Sequence, residues 1–109
     1  MRQTPDGGRI RLALDGELDL SNVATVEAPL LDALGSGKEV VVDLGQLEFI
    51  DSTGISLLVM AMKIRESGLS FVPCRSLEVR RVLNLTGLDE RMPFEAADRA
   101  AEGSPSLPA

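Results

Sequence analysis

The stretch Glu39-Val40-Val41-Val42-Asp43-Leu44-Gly45-Gln46-Leu47-Glu48-Phe49-Ile50-Asp51-Ser52-Thr53-Gly54-Ile55 sets a nearly continuous β-branched run ahead of a carboxylate, two hydroxyls and a glycine. Residues 39–44 are too uniformly apolar for a strand with one wet face. They need cover on both faces, which makes them the central strand of a sheet. The polar cluster stands at the entry of a helix predicted over about residues 53–67, which Gly68 stops. A strand feeding a helix through a short polar loop is the repeating unit of an α/β fold.

Working outward toward the N-terminus, residues 9–14 (Arg-Ile-Arg-Leu-Ala-Leu) alternate charged and apolar side chains like a half-buried strand. Asp15-Gly16 is a pair favoured in tight hairpin turns, so a short return strand is predicted over residues 17–20. Ser21 is placed to cap a helix running to about Leu34, with Val23, Val26, Leu30, Leu31 and Leu34 at helical spacing. Pro29 must kink that helix or mark a late start, and Gly35-Ser36-Gly37 ends it. On the C-terminal side, residues 69–73 read as a strand and Ser76 as the cap of a helix over residues 77–85. Phe94 reads as part of a last short strand and residues 96–101 as a closing turn or two of helix. The expected architecture is a small mixed β-sheet with an N-terminal hairpin and helices packed on it. It forms one domain over residues 9–102, after a flexible N-terminus (1–8) and before a disordered Gly/Ser/Pro-rich tail (103–109).

Composition narrows the chemistry. The chain has 109 residues, enough for one core, and its 44% hydrophobic content excludes a disordered protein. Seventeen acidic against eleven basic residues, a net charge of −6, disfavour a nucleic-acid groove or an anionic membrane surface and suit a partner with a basic face. The absence of histidine removes the commonest general base and metal ligand, so neither a metal centre nor a cofactor is expected. The single cysteine, Cys74, cannot form an internal disulfide and reads as a packing residue. No apolar run reaches the ~20 residues of a membrane span, and a reducing cytoplasm is the expected location.

The cluster Asp51-Ser52-Thr53-Gly54 has two readings. Asp, Ser and Thr are good N-caps, because their side-chain oxygens accept hydrogen bonds from the free amides of a first helical turn. The same geometry makes a hydroxyl accessible at a helix mouth that tolerates a phosphate. Glycine at 54 leaves room for an approaching enzyme or avoids a clash with a neighbouring loop. A serine nucleophile would need a base within reach, and with no histidine and only Lys38 and Lys63 as lysines, catalysis is not expected.

Four blocks, Gly16-Glu17-Leu18-Asp19, Val40-Val41-Val42-Asp43-Leu44, Phe49-Ile50-Asp51-Ser52-Thr53-Gly54-Ile55 and Val79-Arg80-Arg81-Val82-Leu83-Asn84-Leu85-Thr86-Gly87-Leu88, occur in the order and at about the spacing of STAS domains. More narrowly, they resemble the bacterial anti-sigma factor antagonists, over about residues 9–100. The resemblance implies partner switching. The unmodified protein binds an anti-sigma factor that is also a serine kinase, phosphorylation ends that binding, and a serine phosphatase restores it. Carried onto this chain, the phosphoacceptor is Ser52, flanked by Asp51, with the loop containing Asp19 and Ser21 beside it. The other role the family offers is that of an accessory or scaffold subunit of a transporter or stressosome complex, without a phosphorylation switch.

On a 3.6-residue period, Ile55, Leu58, Val59 and Met62 form the face expected to meet the sheet. Leu57, Met60, Ala61 and Ile64 form a second apolar stripe. It is either covered by neighbouring helices or open as a docking strip beginning one turn after Ser52. The candidate partner-binding set is therefore Asp19, Ser21, Asp51, Ser52, Thr53, Gly54, Leu57, Met60 and Ile64.

Overall fold

A computed structural model describes residues 1–95; the helix expected over 96–101 and the tail expected over 103–109 lie outside the described residues. The chain runs β1 (Arg2–Asp6), β2 (Arg9–Leu18), α1 (Val23–Leu34), β3 (Val40–Ile50), α2 (Ser52–Ile64), β4 (Leu69–Val72), α3 (Leu77–Leu85) and a 3₁₀ turn (Leu88–Glu90). The four strands form one sheet in the order β1-β2-β3-β4. The β1/β2 pair is antiparallel, whereas β2/β3 and β3/β4 are parallel. The expected class, a small mixed sheet with an N-terminal hairpin and helices, is the one observed.

The hairpin, however, lies one element earlier than expected. Residues 1–8 are not a loose leader: Arg2–Asp6 pair with Arg9–Ala13, and the turn is Gly7-Gly8, both at positive φ (60° and 89°). Two adjacent residues with φ > 0 meet the requirement of a tight type I′ connection, which glycine satisfies without a Cβ penalty. Asp15-Gly16 is not a turn. Gly16 (φ 66°) sits inside β2 where the ladder to β3 slips register, between Ala13 and Asp15 and again between Gly16 and Glu17. The bulge uses the permissive glycine while β2 continues to pair Glu17 with Phe49 and Leu18 with Ile50.

β3 holds the centre. Val40, Val42, Leu44, Leu47 and Ile50 are buried in one core with Leu12, Leu14 and Leu18 of β2, Phe71 of β4 and the inner faces of the helices. α1 is continuous through Pro29, so the proline neither starts it late nor breaks it. The helical carbonyl that loses its N–H donor is that of Thr25, an exposed residue. α3 spans the predicted residues, and Ser76 Oγ accepts from the Val79 amide at 3.3 Å. Phe94 is a single parallel bridge to Phe71.

α2 corrects the reading of its faces. The buried residues are Gly54, Leu57, Leu58 and Ala61, at i, i+3, i+4 and i+7. The inward arc lies between the two stripes, since α2 packs on β3 with one flank and on α1 with the other. Ile55, Val59, Met60 and Met62 are only partly buried, and Ile64 is 49% exposed.

Candidate functional site

The end of β3 and the start of α2 are joined by Asp51 alone, whose extended backbone (φ −111°, ψ −173°) makes it the N-cap. Its carboxylate is fully engaged. Oδ1 accepts from the Thr53 amide (2.9 Å), the Gly54 amide (3.2 Å) and the Thr53 hydroxyl. Oδ2 reaches across to the β2–α1 loop and accepts from the Leu20 amide at 3.1 Å. The Thr53 hydroxyl bond, helped by the amides of Gly54, Leu20 and Thr53 and opposed by partial desolvation, holds the Asp51 carboxyl below its ordinary value.

The facing loop is built the same way. Asp19 Oδ1 accepts from the Ser21 amide (3.0 Å) and hydroxyl (2.6 Å), and Asn22 Oδ1 accepts from the Asp19 amide (2.9 Å). Asn22 Nδ2 donates to the Glu17 carbonyl at 2.6 Å. Asn22, not Ser21, is thus the N-cap residue of α1; Ser21 is spent on Asp19. These bonds hold Leu20, 74% exposed, at the outside of the loop.

The structure therefore brings Asp19, Ser21, Asp51, Ser52 and Thr53 into one candidate site, where the β2–α1 loop is tied to the first turn of α2. Among the three polar side chains of the α2 cap, only that of Ser52 makes no hydrogen bond among the described residues, and Ser52 is exposed. Neither Asp19 nor Asp51 forms an ion pair there. Beside the cap, Val23 and Glu27 of α1 and Ser56, Leu57 and Met60 of α2 line a shallow, mostly apolar groove with Thr53.

Two of the sequence candidates do not belong to a surface. Leu57 is 4% exposed and part of the core under α1, so it can floor the groove but not extend from it. Gly54 is buried: a Cβ there would stand 2.7 Å from the Leu18 carbonyl oxygen and 2.7 Å from Ile50 Cγ1. Its missing side chain serves the close approach of α2 to β2 and β3, not the approach of an enzyme. Conversely, Leu20 was missed by sequence reading. A leucine between Asp19 and Ser21 carries a signal only once both neighbours are known to fold their polar groups inward, leaving the apolar side chain outside.

The family described as "Mlab, STAS domain" matches residues 1–94. The anti-sigma-F factor antagonist RsfB of Mycobacterium tuberculosis is 32% identical over 81 residues, covering 72% of this chain, and the match spans 66% of RsfB's length. Among solved structures, an anti-sigma factor antagonist from Mycobacterium paratuberculosis superposes with a TM-score of 0.79 at 25% identity, over 96% of this chain and 92% of that one. Unphosphorylated SpoIIAA, an anti-sigma factor antagonist, gives 0.72 at 23% identity over 99% and 98% of the chains. SpoIIAA of Bacillus in its phosphorylated form gives 0.65, also at 23%, over 94% and 96%. With its mixed four-stranded sheet, its helices and a family match that runs from the first strand to the last bridge, this chain belongs to the STAS domain family.

Proposed function

We propose that this protein is an anti-sigma factor antagonist that regulates transcription by partner switching, binding a kinase-type anti-sigma factor until Ser52 is phosphorylated. The observation that carries the reading is the contrast at the α2 cap: the Thr53 hydroxyl is bound to the Asp51 carboxylate, which also accepts from backbone amides, while the exposed Ser52 hydroxyl makes no hydrogen bond among the described residues. RsfB and SpoIIAA support it, the latter occurring in both unphosphorylated and phosphorylated forms. In this reading the chain is a substrate and a binding module, not a catalyst. A serine phosphatase resets it, and the cytoplasm is where it works.

The docking surface comprises the two loops, with Asp19, Leu20, Ser21, Ser52 and Thr53, and continues along α2 through Met60 to Ile64. A phosphoserine brings about −1.5 to −2 charges at neutral pH. The first turn of a helix favours an anion by only ~0.3–1 kcal/mol when exposed, so the fold stays intact. At the contact the phosphate stands beside Asp51 and Asp19, and the partner meets a hydrated, doubly charged group where it had met a hydroxyl. The test begins with a pull-down from the source cytoplasm, identified by mass spectrometry, with an ATP-binding anti-sigma kinase as the expected capture. Calorimetric titration with that kinase follows, before and after phosphorylation, with the modified residue mapped by tandem mass spectrometry. Modification of Thr53 with Ser52 untouched, or equal affinity of both forms, would overturn the switch.

A further inference from the structure

The far end of α2 carries a feature that the Ser52 site leaves unused. Val59 and Met62, read from the sequence as sheet-facing, are only partly buried, and with Pro93 they floor an open recess of about 320 Å³. Lys63, Arg91 and Glu66 stand around it, and none of the three forms an ion pair or side-chain hydrogen bond among the described residues. Arg65 completes the wall. Its guanidinium donates to the carbonyls of Leu34, Lys38, Ser67 and Gly68, all neutral acceptors, so its charge is not cancelled. Among the described residues, three cations against one carboxylate thus meet over an apolar floor, on a protein whose net charge is −6.

We infer that this recess is a second docking site, taking an apolar side chain flanked by carboxylates from an acidic segment of a partner protein. The apolar floor receives the side chain, and Lys63 and Arg91 receive the carboxylates. An open recess with charges on its rim matches a side chain presented by a peptide better than an enclosed small molecule. Val59 and Lys63 lie about 10–16 Å along the helix from Ser52, beyond a Debye length of about 8 Å at physiological salt, so a phosphate on Ser52 reaches this recess only as a screened field.

The test uses the full-length ¹⁵N-labelled protein and a hexapeptide of alternating glutamate and leucine. Amide shifts confined to Val59, Met62, Lys63, Glu66 and Arg91, with Ser52 and Thr53 unmoved, are expected. Binding should weaken as salt rises, should fall about tenfold or more in the double variant Lys63→Glu/Arg91→Glu, and should tighten in Glu66→Gln. Circular dichroism confirms that each variant folds. The inference fails if the peptide does not bind at millimolar concentration, if the charge reversal leaves its affinity unchanged, if a lysine–leucine hexapeptide binds as well, or if the shifts gather around Ser52. Retention on phosphatidylglycerol vesicles that depends on Lys63 and Arg91, without peptide binding, would reassign the recess to lipid headgroups.

Discussion

Gly54 and Asp51 show how tightly single residues are specified at the helix mouth. A methyl group at 54 gains the alanine helix propensity of about 1 kcal/mol but must displace the backbone oxygen of Leu18 and the side chain of Ile50, both 2.7 Å from the position it would take. Gly54→Ala is therefore expected to lose stability by about 1–2 kcal/mol net in urea melts, the opposite of the usual glycine-to-alanine effect in a helix. For Asp51, the carboxyl is held below its ordinary value in the folded state, mainly by the Thr53 hydroxyl. As pH falls, the unfolded chain takes up this proton first, so the contribution is complete above the ordinary carboxylate pKa of about 4 and is lost as pH drops through the lower folded value. Asp51→Asn should lower the melting temperature at neutral pH and flatten the acid limb of the stability curve. Thermal melts between about pH 6 and pH 2 for both proteins measure it, and parallel limbs would contradict the assignment.

At the level of elements, α2 is anchored at both ends by side chains that reach into other parts of the chain. Asp51 ties its start to the β2–α1 loop through the Leu20 amide, and Arg65 ties its end to the last carbonyl of α1 and to the segments entering β3 and β4. A lysine has no planar fork to serve Leu34, Lys38, Ser67 and Gly68 together, so Arg65→Lys should cost about 1–3 kcal/mol in urea melts despite keeping the charge. The two apolar positions facing α1 should separate cleanly. Leu57→Ala leaves a cavity in the core and should destabilise by about 2–5 kcal/mol. Met60, half-buried at the groove, should tolerate lysine with about 1 kcal/mol or less, because its ammonium can extend to water. If the groove docks the kinase, Met60→Lys still abolishes binding in calorimetry; a stable variant with undiminished affinity removes the groove from the interface.

For the molecule as a whole, phosphorylation of Ser52 would take the net charge from −6 to about −8 without touching the core, since Ser52 is exposed and the cap is made by its neighbours. The phosphorylated protein is expected to melt within about 2 °C of the unmodified one, while losing its affinity for the kinase. Ser52→Ala should fold and bind but resist modification, and Ser52→Asp should reproduce the loss of binding only in part, a carboxylate being smaller and less charged than a phosphate.

How much was legible beforehand follows the range of the interactions involved. The central strand, a polar cap somewhere in residues 51–53 and all of α3 were readable from residues 39–44, 51–54 and 76–85, because β-branched runs and capping side chains act within a few residues of themselves. The resemblance placed Ser52 at the mouth of α2 for the same reason, since the motif is contiguous. Which glycine pair turns the hairpin was not local. Gly7-Gly8 and Asp15-Gly16 are both competent turns, and the choice fell to whichever let β2 run on beside β3 as far as Leu18 and Ile50. Nor was the orientation of α2: eight apolar positions on one short helix satisfy two periodic faces equally, and only packing against β3 and α1 together selected Leu57, Leu58 and Ala61 as the buried arc. The sequence by itself determined the central strand, α3 and a hydroxyl-bearing cap at the mouth of α2, products of short-range hydrogen bonding and periodicity, but neither β1 nor the Asn22 cap of α1. The tertiary structure alone decided that Gly54 faces inward, that Leu20 faces outward and that Val59 and Met62 stay partly open, because each depends on how closely elements distant in sequence approach one another.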